Sequence, residues 1–371
     1  MSRSRPLRRL TLPLAAFALA AASPASFTVR SARATVPVAH AARPTVFRRA
    51  DSLGIRDLLD IATTAVADLS ADGQWLALTV TTRRDQLGAE AARDGDPTYL
   101  RAVAMRLLVV DTRSLAQRAV FTDKKAVRTA SWSPDGTRLA ILLVENDALQ
   151  VLAWNRATGK TTSPRLPAGQ YVAENSELRW TDDGAALAFA LRTTVWKAKA
   201  KKRFDELTRG PVTVLDGTED FLEWDAMNRL AEERAIVAWN VARNTVTTLQ
   251  PEGLVGQWTL AKDGSAITTQ QDITKKTDYD IIGGREWKLV AQSLGSTAAA
   301  GAAATVGAAI APRTVVATLK GAQIAWADDG KQFAITRDGR VSVGSIADTT
   351  LRQLLGPAGT GRTGGPGGAA P

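Results

Sequence analysis

The chain has 371 residues, of which 45% are hydrophobic, so it is long enough and apolar enough to fold as a globular protein. It contains no Cys, which excludes disulfides and thiolate metal sites. Residues 1–41 hold six Arg and no acidic residue, so the net charge of +10 falls to about +4 (41 basic against 37 acidic residues) in the remainder. This balance does not favour nucleic acid as a partner.

The N-terminal residues predict an export signal. Met1–Arg9 contain four Arg and no acidic residue, Leu10–Ala22 is apolar and rich in Ala, and small residues suited to cleavage follow as far as Ala25. The apolar run is too short to span a bilayer comfortably. We therefore predict a signal peptide at residues 1–25, a disordered lead-in at residues 26–49, and a periplasmic or secreted protein that does not span the membrane.

A turn ending in Asp-Gly recurs five times along the chain, as in Ser133-Pro134-Asp135-Gly136. Asp caps such a turn with its carboxylate, and Gly adopts the positive φ that other residues resist. A large apolar residue stands three positions before each Asp and three positions after each Gly, so each copy predicts a strand, a tight turn and a second strand. The flanking pairs are Leu69 and Leu76, Trp132 and Leu139, Trp180 and Leu187, Leu260 and Ile267, and Trp326 and Phe333.

The spacing of these turns indicates the repeat architecture. Successive glycines lie 63, 48, 80 and 66 residues apart. A propeller blade of four strands needs roughly 40–50 residues, whereas single-turn solenoid repeats are shorter. We therefore predict an all-β fold, a β-propeller of four-stranded antiparallel blades at residues 50–355, with about 6–7 blades in a ring that need not be complete. A short helix precedes it, and the longest interval is predicted to hold a degenerate blade with a short helix within Phe221–Glu233.

These repeats resemble the WD-like β-propeller repeats of the TolB type. The segment Leu53–Asp60, followed by Ala67–Gly73, more narrowly resembles the entry to the N-terminal propeller of prolyl oligopeptidase family serine peptidases, in the dipeptidyl and acylaminoacyl peptidase branch. The resemblance covers about Arg48–Leu355. It implies a propeller that gates and orients short peptides on their way to a buried active site. The polar connection Thr82–Tyr99 then either contacts substrate or is a plain surface loop.

The residues needed for that family's chemistry are missing from this chain. The only His is His40, and the motif Gly-x-Ser-x-Gly does not occur, its nearest approach being Arg340–Gly344. The paired acids Asp182-Asp183 and Asp328-Asp329 occupy repeated turns, which favours capping over acid–base catalysis. We therefore predict no catalytic residue, no metal site, no cofactor and no enzyme activity for this chain alone.

Two further segments have distinctive composition. Lys197–Arg203 is the one strongly basic cluster; we interpret it as a solvated loop between strands in preference to a site for a polyanion or anionic lipid. Residues 356–371 are rich in Gly and Pro and predict a disordered tail.

Two functions agree with these features. The first is the non-catalytic, exported substrate-gating propeller of a prolyl oligopeptidase family serine peptidase, as a truncated or fragmentary member, with a peptidase catalytic domain as a partner. The alternative is a stand-alone TolB-like envelope propeller. In both cases a peptide or protein ligand binds at a propeller face or in the channel.

Overall fold

The computed structural model describes residues 54–88, 93, 95–210, 221, 223–275, 285–294 and 311–356. The predicted signal peptide, the lead-in and the tail beyond Gly356 lie outside these residues and stay predictions. The predicted short helix is present at Ile55–Leu59 (α1). Most of the remaining described chain forms antiparallel sheets, which confirms the all-β class.

Blades 1 and 2 each use four consecutive strands. Blade 1 contains Ala62–Leu69 (β1), Trp75–Thr82 (β2), Arg106–Asp111 (β3) and Gln117–Ala119 (β4). Blade 2 contains Ala126–Trp132 (β5), Arg138–Glu145 (β6), Ala148–Asn155 (β7) and Thr161–Thr162 (β8).

The next two blades share one strand. In blade 3, Gln170–Val172 (β9) and Arg179–Trp180 (β10) both pair with Ala186–Thr193 (β11), which is followed by Glu233–Asn240 (β12) and the first part of Thr245–Leu260 (β13). Blade 4 contains the second part of β13, Ala266–Asp272 (β14), Trp287–Ser293 (β15) and Arg313–Val316 (β16). Through β13 the two blades form a continuous sheet.

Blade 5 again consists of four consecutive strands: Ala322–Trp326 (β17), Gln332–Arg337 (β18), Arg340–Ser345 (β19) and Arg352–Leu355 (β20). The described residues thus hold five blades, fewer than the 6–7 expected. The long interval between Gly184 and Gly264 carries no further blade there, because helices Thr194–Thr208 (α2) and Glu223–Leu230 (α3) are inserted between β11 and β12. The predicted helix within Phe221–Glu233 is α3.

Each Asp-Gly turn joins the first two strands of a blade, as predicted. The five flanking apolar pairs are direct cross-strand partners, for example Trp132 with Leu139. In this turn Ser133 Oγ donates to Asp135 Oδ1 at 2.5 Å, and the amide of Gly136 donates to the carbonyl of Ser133 at 2.8 Å. Gly136 has a φ of +64°, the left-handed conformation that the turn requires.

The hydrophobic core lies between the blades. Four clusters of buried residues each join two consecutive blades, as when Ile141 of blade 2 packs with Val109 of blade 1. Among the described residues, no such cluster joins blade 5 to blade 1. Val66 and Leu69 of β1 are 66% and 49% exposed, and Leu354 and Leu355 of β20 are exposed as well. The described blades therefore form an open ring.

Candidate ligand-binding face of the propeller

Because successive strands of a blade are antiparallel, the connections between them lie alternately on two opposite faces of the propeller. All five Asp-Gly turns lie on one face, and the connections between the second and third strands lie on the other. The second face carries the two longest of these connections, residues 83–105 between β2 and β3 and the segment with helices α2 and α3 between β11 and β12. We call these two helices the helical cap and this side of the ring the capped face.

Three other blades contact the helical cap. The Gly95 backbone of blade 1 packs against the indole of Trp224 in α3. In blade 2, Lys197 Nζ donates to the carbonyl of Asp147 at 3.4 Å. In blade 4, Asp272 Oδ2 accepts from Arg229 Nη1 at 2.8 Å. The cap thus extends from blade 3 over the capped face and is held there by its neighbours.

The basic cluster Lys197–Arg203 lies in helix α2, so its interpretation as a loop was wrong. The sequence does contain a signal for this helix, the spacing of its apolar residues. Trp196, Ala200 and Phe204 stand four residues apart and are all buried. Thr193 caps the helix by accepting from the amide of Trp196 at 3.2 Å. The Lys residues around this buried stripe include Lys201 and Lys202, which pair four residues ahead with Asp205 and Glu206 at 3.1 and 3.8 Å.

The two helices of the cap pack through apolar and aromatic side chains. Trp196 Nε1 donates to the carbonyl of Leu230 at 2.9 Å, and the ring of Phe204 meets that of Trp224 edge to face, with 6.1 Å between their centroids. Met227 is buried in the same cluster. The cap therefore has a small hydrophobic core of its own.

Beneath the cap, the inner strand of blade 3 is interrupted. Both β9 and β10 pair with β11, but residues 173–178 between them leave the ladder as a bulge. Ser176 Oγ accepts from the amide of Ala190 at 2.9 Å, and Asn175 Nδ2 donates to the carbonyl of Ala231 at 3.2 Å. Bulges frequently re-aim side chains next to functional sites. Here the bulge turns a polar segment out of the sheet.

A buried ion pair anchors this bulge. Arg192 Nη1 donates to Glu174 Oε2 at 2.7 Å, and the two side chains are only 1% and 5% exposed. Arg192 also donates to the carbonyls of Glu233 and Ala231 and stacks on the ring of Trp196, 3.7 Å from its centroid. Burial and the neighbouring Glu174 carboxylate raise the pKa of Tyr171. The network joins the inner strand of blade 3 to the cap.

A second buried arginine supports the same region. Arg234 Nε donates to the carbonyl of Val255 at 3.0 Å, and Arg234 Nη1 donates to that of Asn175 at 3.1 Å. Burial lowers the pKa of this guanidinium. Arg234 therefore connects the bulge of blade 3 to the inner strand of blade 4.

Two neighbouring cavities open at this level of the ring. One, of about 430 Å³, is lined by β5 and β6 of blade 2 and by the bulge of blade 3: Arg128, Thr129, Leu142, Glu174, Asn175, Ser176, Glu177 and Leu178. The other, of about 410 Å³, is lined from blades 1 and 2: Thr81, Gln86, Arg101, Val103, Met105, Val127 and Arg128. Both volumes are in the range that takes a small molecule or a few peptide residues. Arg128 belongs to both cavities, and it stands at a bulge in β5.

A third cavity, of about 530 Å³, lies against the cap itself. Lys199, Lys202, Arg203 and Arg229 contribute its positive charges, and Phe221, Leu230 and Leu254 its apolar surface. Its basic residues are internally compensated, as Lys202 pairs with Glu206 and Arg229 with Asp272.

The acidic pairs of the turns make capping contacts on the other face. Asp183 Oδ1 accepts from Thr181 Oγ1 at 2.6 Å, and Asp329 Oδ1 accepts from the amide of Lys331 at 2.8 Å. Asp328 instead forms an exposed ion pair with Lys262 at 2.6 Å. Ser342, of the Arg340–Gly344 segment, lies in β19 between β18 and β20, whereas a nucleophile elbow is a strand-to-helix turn. His40 lies outside the described residues. Within those residues, no group of three or more acidic or His side chains is placed to hold a metal ion.

No family model matches the chain, and no curated protein matches it. Among solved structures, it is similar to TolB from Acinetobacter baumannii, with 14% identity and a TM-score of 0.39 over 78% of this chain and 53% of that one. It is similar to the β-propeller domain of the Trilobed protease from Pyrococcus furiosus, with 10% identity and a TM-score of 0.45 over 80% of this chain and 72% of that domain. It is also similar to the acylaminoacyl peptidase of Pyrococcus horikoshii, with 8% identity and a TM-score of 0.46 over 80% of this chain and 40% of that one.

The predicted resemblance to TolB-type and peptidase propellers is therefore confirmed. The chain spans about half the length of the TolB chain and two fifths of the acylaminoacyl peptidase. With identities this low and TM-scores below 0.5, these likenesses carry no argument about binding or activity. In the described part of the chain, no helix is both long enough and apolar enough to cross a bilayer.

Proposed function

We propose that this chain is a non-catalytic, exported propeller that admits and orients short peptides at its capped face. It would serve as the substrate-gating part of a prolyl oligopeptidase family serine peptidase, whose catalytic domain would be a separate stretch of polypeptide. The observation that carries this proposal is the helical cap, which contacts blades 1, 2 and 4 on the face of the propeller where two peptide-sized cavities open.

The chemistry of the chain supports a binding role in preference to catalysis. No His follows His40, so a Ser-His-Asp triad cannot be assembled from the propeller. The ionised groups near the cavities are mostly held in ion pairs, such as Glu174 with Arg192 and Lys124 with Asp85. Such pairs fix the shape of the capped face without providing a base or a nucleophile.

Export rests on the N-terminal pattern of basic residues followed by an apolar run up to Ala22. N-terminal sequencing of the protein recovered from its native cells tests this point. We expect the mature chain to begin just after Ala22 or Ala25. Recovery of the chain with residues 1–22 intact would contradict it.

The gating role has two tests. The DNA downstream of the codon for Pro371 is expected to encode, in frame or after one frameshift, a Gly-x-Ser-x-Gly segment followed by Asp and His. An immediate stop followed by unrelated sequence would contradict the peptidase assignment and favour the TolB-like envelope propeller. Independently, calorimetric titration of the purified chain with short peptides is expected to show binding, whereas an absence of binding to any peptide would contradict gating.

A further inference from the structure

The capped face carries two arginines that no other described residue neutralises. Arg101 lies in the connection between β2 and β3, and Arg128 lies at the bulge of β5. Both line the 410 Å³ cavity. In the part of the chain that the structure describes, neither guanidinium forms a hydrogen bond, an ion pair or a ring contact. We infer that Arg101 and Arg128 bind the carboxylate of a peptide at this cavity.

The charge distribution around the two cavities supports an anionic ligand group. The acidic residues at the adjoining 430 Å³ cavity each form an ion pair: Glu174 pairs through Oε2 with Arg192 at 2.7 Å, its buried Oε1 having no hydrogen-bond partner among the described residues, and Glu177 pairs with Arg179 at 2.8 Å. Among the described residues, no acidic side chain pairs with Arg101 or Arg128. Two guanidiniums present planar sets of N–H donors, which match the two oxygens of a carboxylate.

Backbone geometry places Arg128 for this role. The register of β5 shifts between Val127 and Thr129, so Arg128 is the residue that leaves the ladder with β6. A bulged residue is re-aimed away from its regular strand position. Because Arg128 lines both cavities, a ligand held by its guanidinium can extend from blade 1 to the bulge at residues 173–178 of blade 3.

The basic helix α2 is a weaker candidate for the same chemistry. Its cavity holds more positive charges, but Lys202 and Arg203 both lie within 4 Å of Glu206, and Arg229 pairs with Asp272. A ligand carboxylate there would compete with carboxylates already in place. The described lining of the 410 Å³ cavity, which includes Arg101 and Arg128, contains no acidic residue.

This inference rests on the proposed peptide-gating function and identifies the group of the peptide that is recognised. The test is calorimetric titration of the full purified chain with three N-acetylated tripeptides. One is neutral and C-terminally amidated, one has the same sequence with a free C-terminal carboxylate, and one is amidated with a central Glu. We expect the two carboxylate peptides to bind about tenfold more tightly than the neutral peptide, the effect of one good charge-assisted hydrogen bond.

Variants assign the effect to the two arginines. Arg101→Gln and Arg128→Gln are each expected to remove most of the tenfold preference, measured in each variant as the ratio of the affinities for the carboxylate and the neutral peptide. Arg128→Lys, which keeps the charge, should retain part of the preference, and added salt should weaken it. The control is Arg113→Gln, in the connection between β3 and β4 on the other face, which should change nothing.

The outcomes separate the two proposals. If all three peptides bind equally, or if the arginine variants leave the preference intact, the carboxylate site is refuted while peptide binding stands. If no peptide binds, the gating function fails together with this inference. Inorganic phosphate serves as a further probe: phosphate binding that depends on Arg101 and Arg128, without any peptide binding, would identify a free-oxyanion site and overturn the peptide assignment.

Discussion

Gly95 packs against the indole of Trp224, so two insertions of the capped face, the connection between β2 and β3 and the helical cap, are in contact. A Cβ placed on Gly95 would lie 3.1 Å from Cζ3 of this ring, and the φ of Gly95 is +83°. At this contact between blade 1 and the helical cap, there is therefore no room for a residue larger than Gly at position 95.

We expect Gly95→Ala to open this contact. The added methyl group both strains the backbone and pushes on the Trp224 ring, so amide hydrogen exchange should accelerate in α3 and in residues 95–105. The control is Gly88→Ala, in the same connection, where φ is +89° but no atom lies within 4 Å of the new Cβ. Equal acceleration of α3 in both variants would show that backbone strain alone is responsible.

The buried pair of Glu174 and Arg192 should be costly to break. Arg192→Met leaves a carboxylate buried without its partner, and we expect the free energy of unfolding to fall by about 3–5 kcal/mol in urea titrations. Adding Glu174→Leu to this variant should restore part of the loss, because no charge then remains unpaired. The exposed pair of Lys201 with Asp205 provides the comparison, since Lys201→Met should cost no more than about 0.5 kcal/mol. A double variant no more stable than Arg192→Met would contradict this account.

Leu69 and Leu260 occupy equivalent places before the first and fourth Asp-Gly turns, yet they differ in burial. Leu260 is 8% exposed and Leu69 is 49% exposed, because no described blade packs against that side of β1. We expect Leu260→Ala to lower the free energy of unfolding by about 2–4 kcal/mol and Leu69→Ala by less than about 1 kcal/mol. Equal losses would show that β1 is covered in solution.

Asp85 should make part of the stability depend on acid pH. Hydrogen bonds from Lys124 and Thr82 hold the pKa of its carboxyl at about 2, below the ordinary 3.8. The charged form therefore stabilises the fold fully above about pH 4, and this contribution is lost as the pH falls through 2. Denaturant titrations should find Asp85→Asn less stable than the parent near neutral pH, with a difference that closes towards pH 2. A difference independent of pH would exclude ionisation as the cause.

The repeats were predictable because their turns are determined locally. Asp and Gly set the turn geometry, and the flanking apolar residues, such as Trp132 and Leu139, then become cross-strand partners. Of the two helices of the cap, α3 was predicted and α2 was not, because the dense Lys residues of α2 mask the regular spacing of Trp196, Ala200 and Phe204. That spacing is visible in the sequence, so the helical period alone is enough to predict α2.

The bulges could not be predicted in the same way. Arg128 interrupts a strand-like run with no Gly, Pro or Asn beside it, and its departure from the ladder depends on the partner strand β6. Residues 173–178 leave the sheet because Ser176, Asn175 and Glu174 find partners on β11, on the segment before β12 and on Arg192. These partners are distant in the sequence, so the candidate site appears only once the blades are assembled.

The sharing of β13 between blades 3 and 4 limits where the chain can change length. Side chains alternate between the two faces of a strand, so one inserted or deleted residue in Thr245–Leu260 would exchange inward and outward positions beyond it. Because both blades are built on this strand, an indel there would disturb the packing of two blades at once. The connection between β11 and β12 already holds two helices without disturbing either ladder. Evolution of this propeller can therefore proceed by lengthening its connections, while the backbone of β13 keeps a fixed residue count.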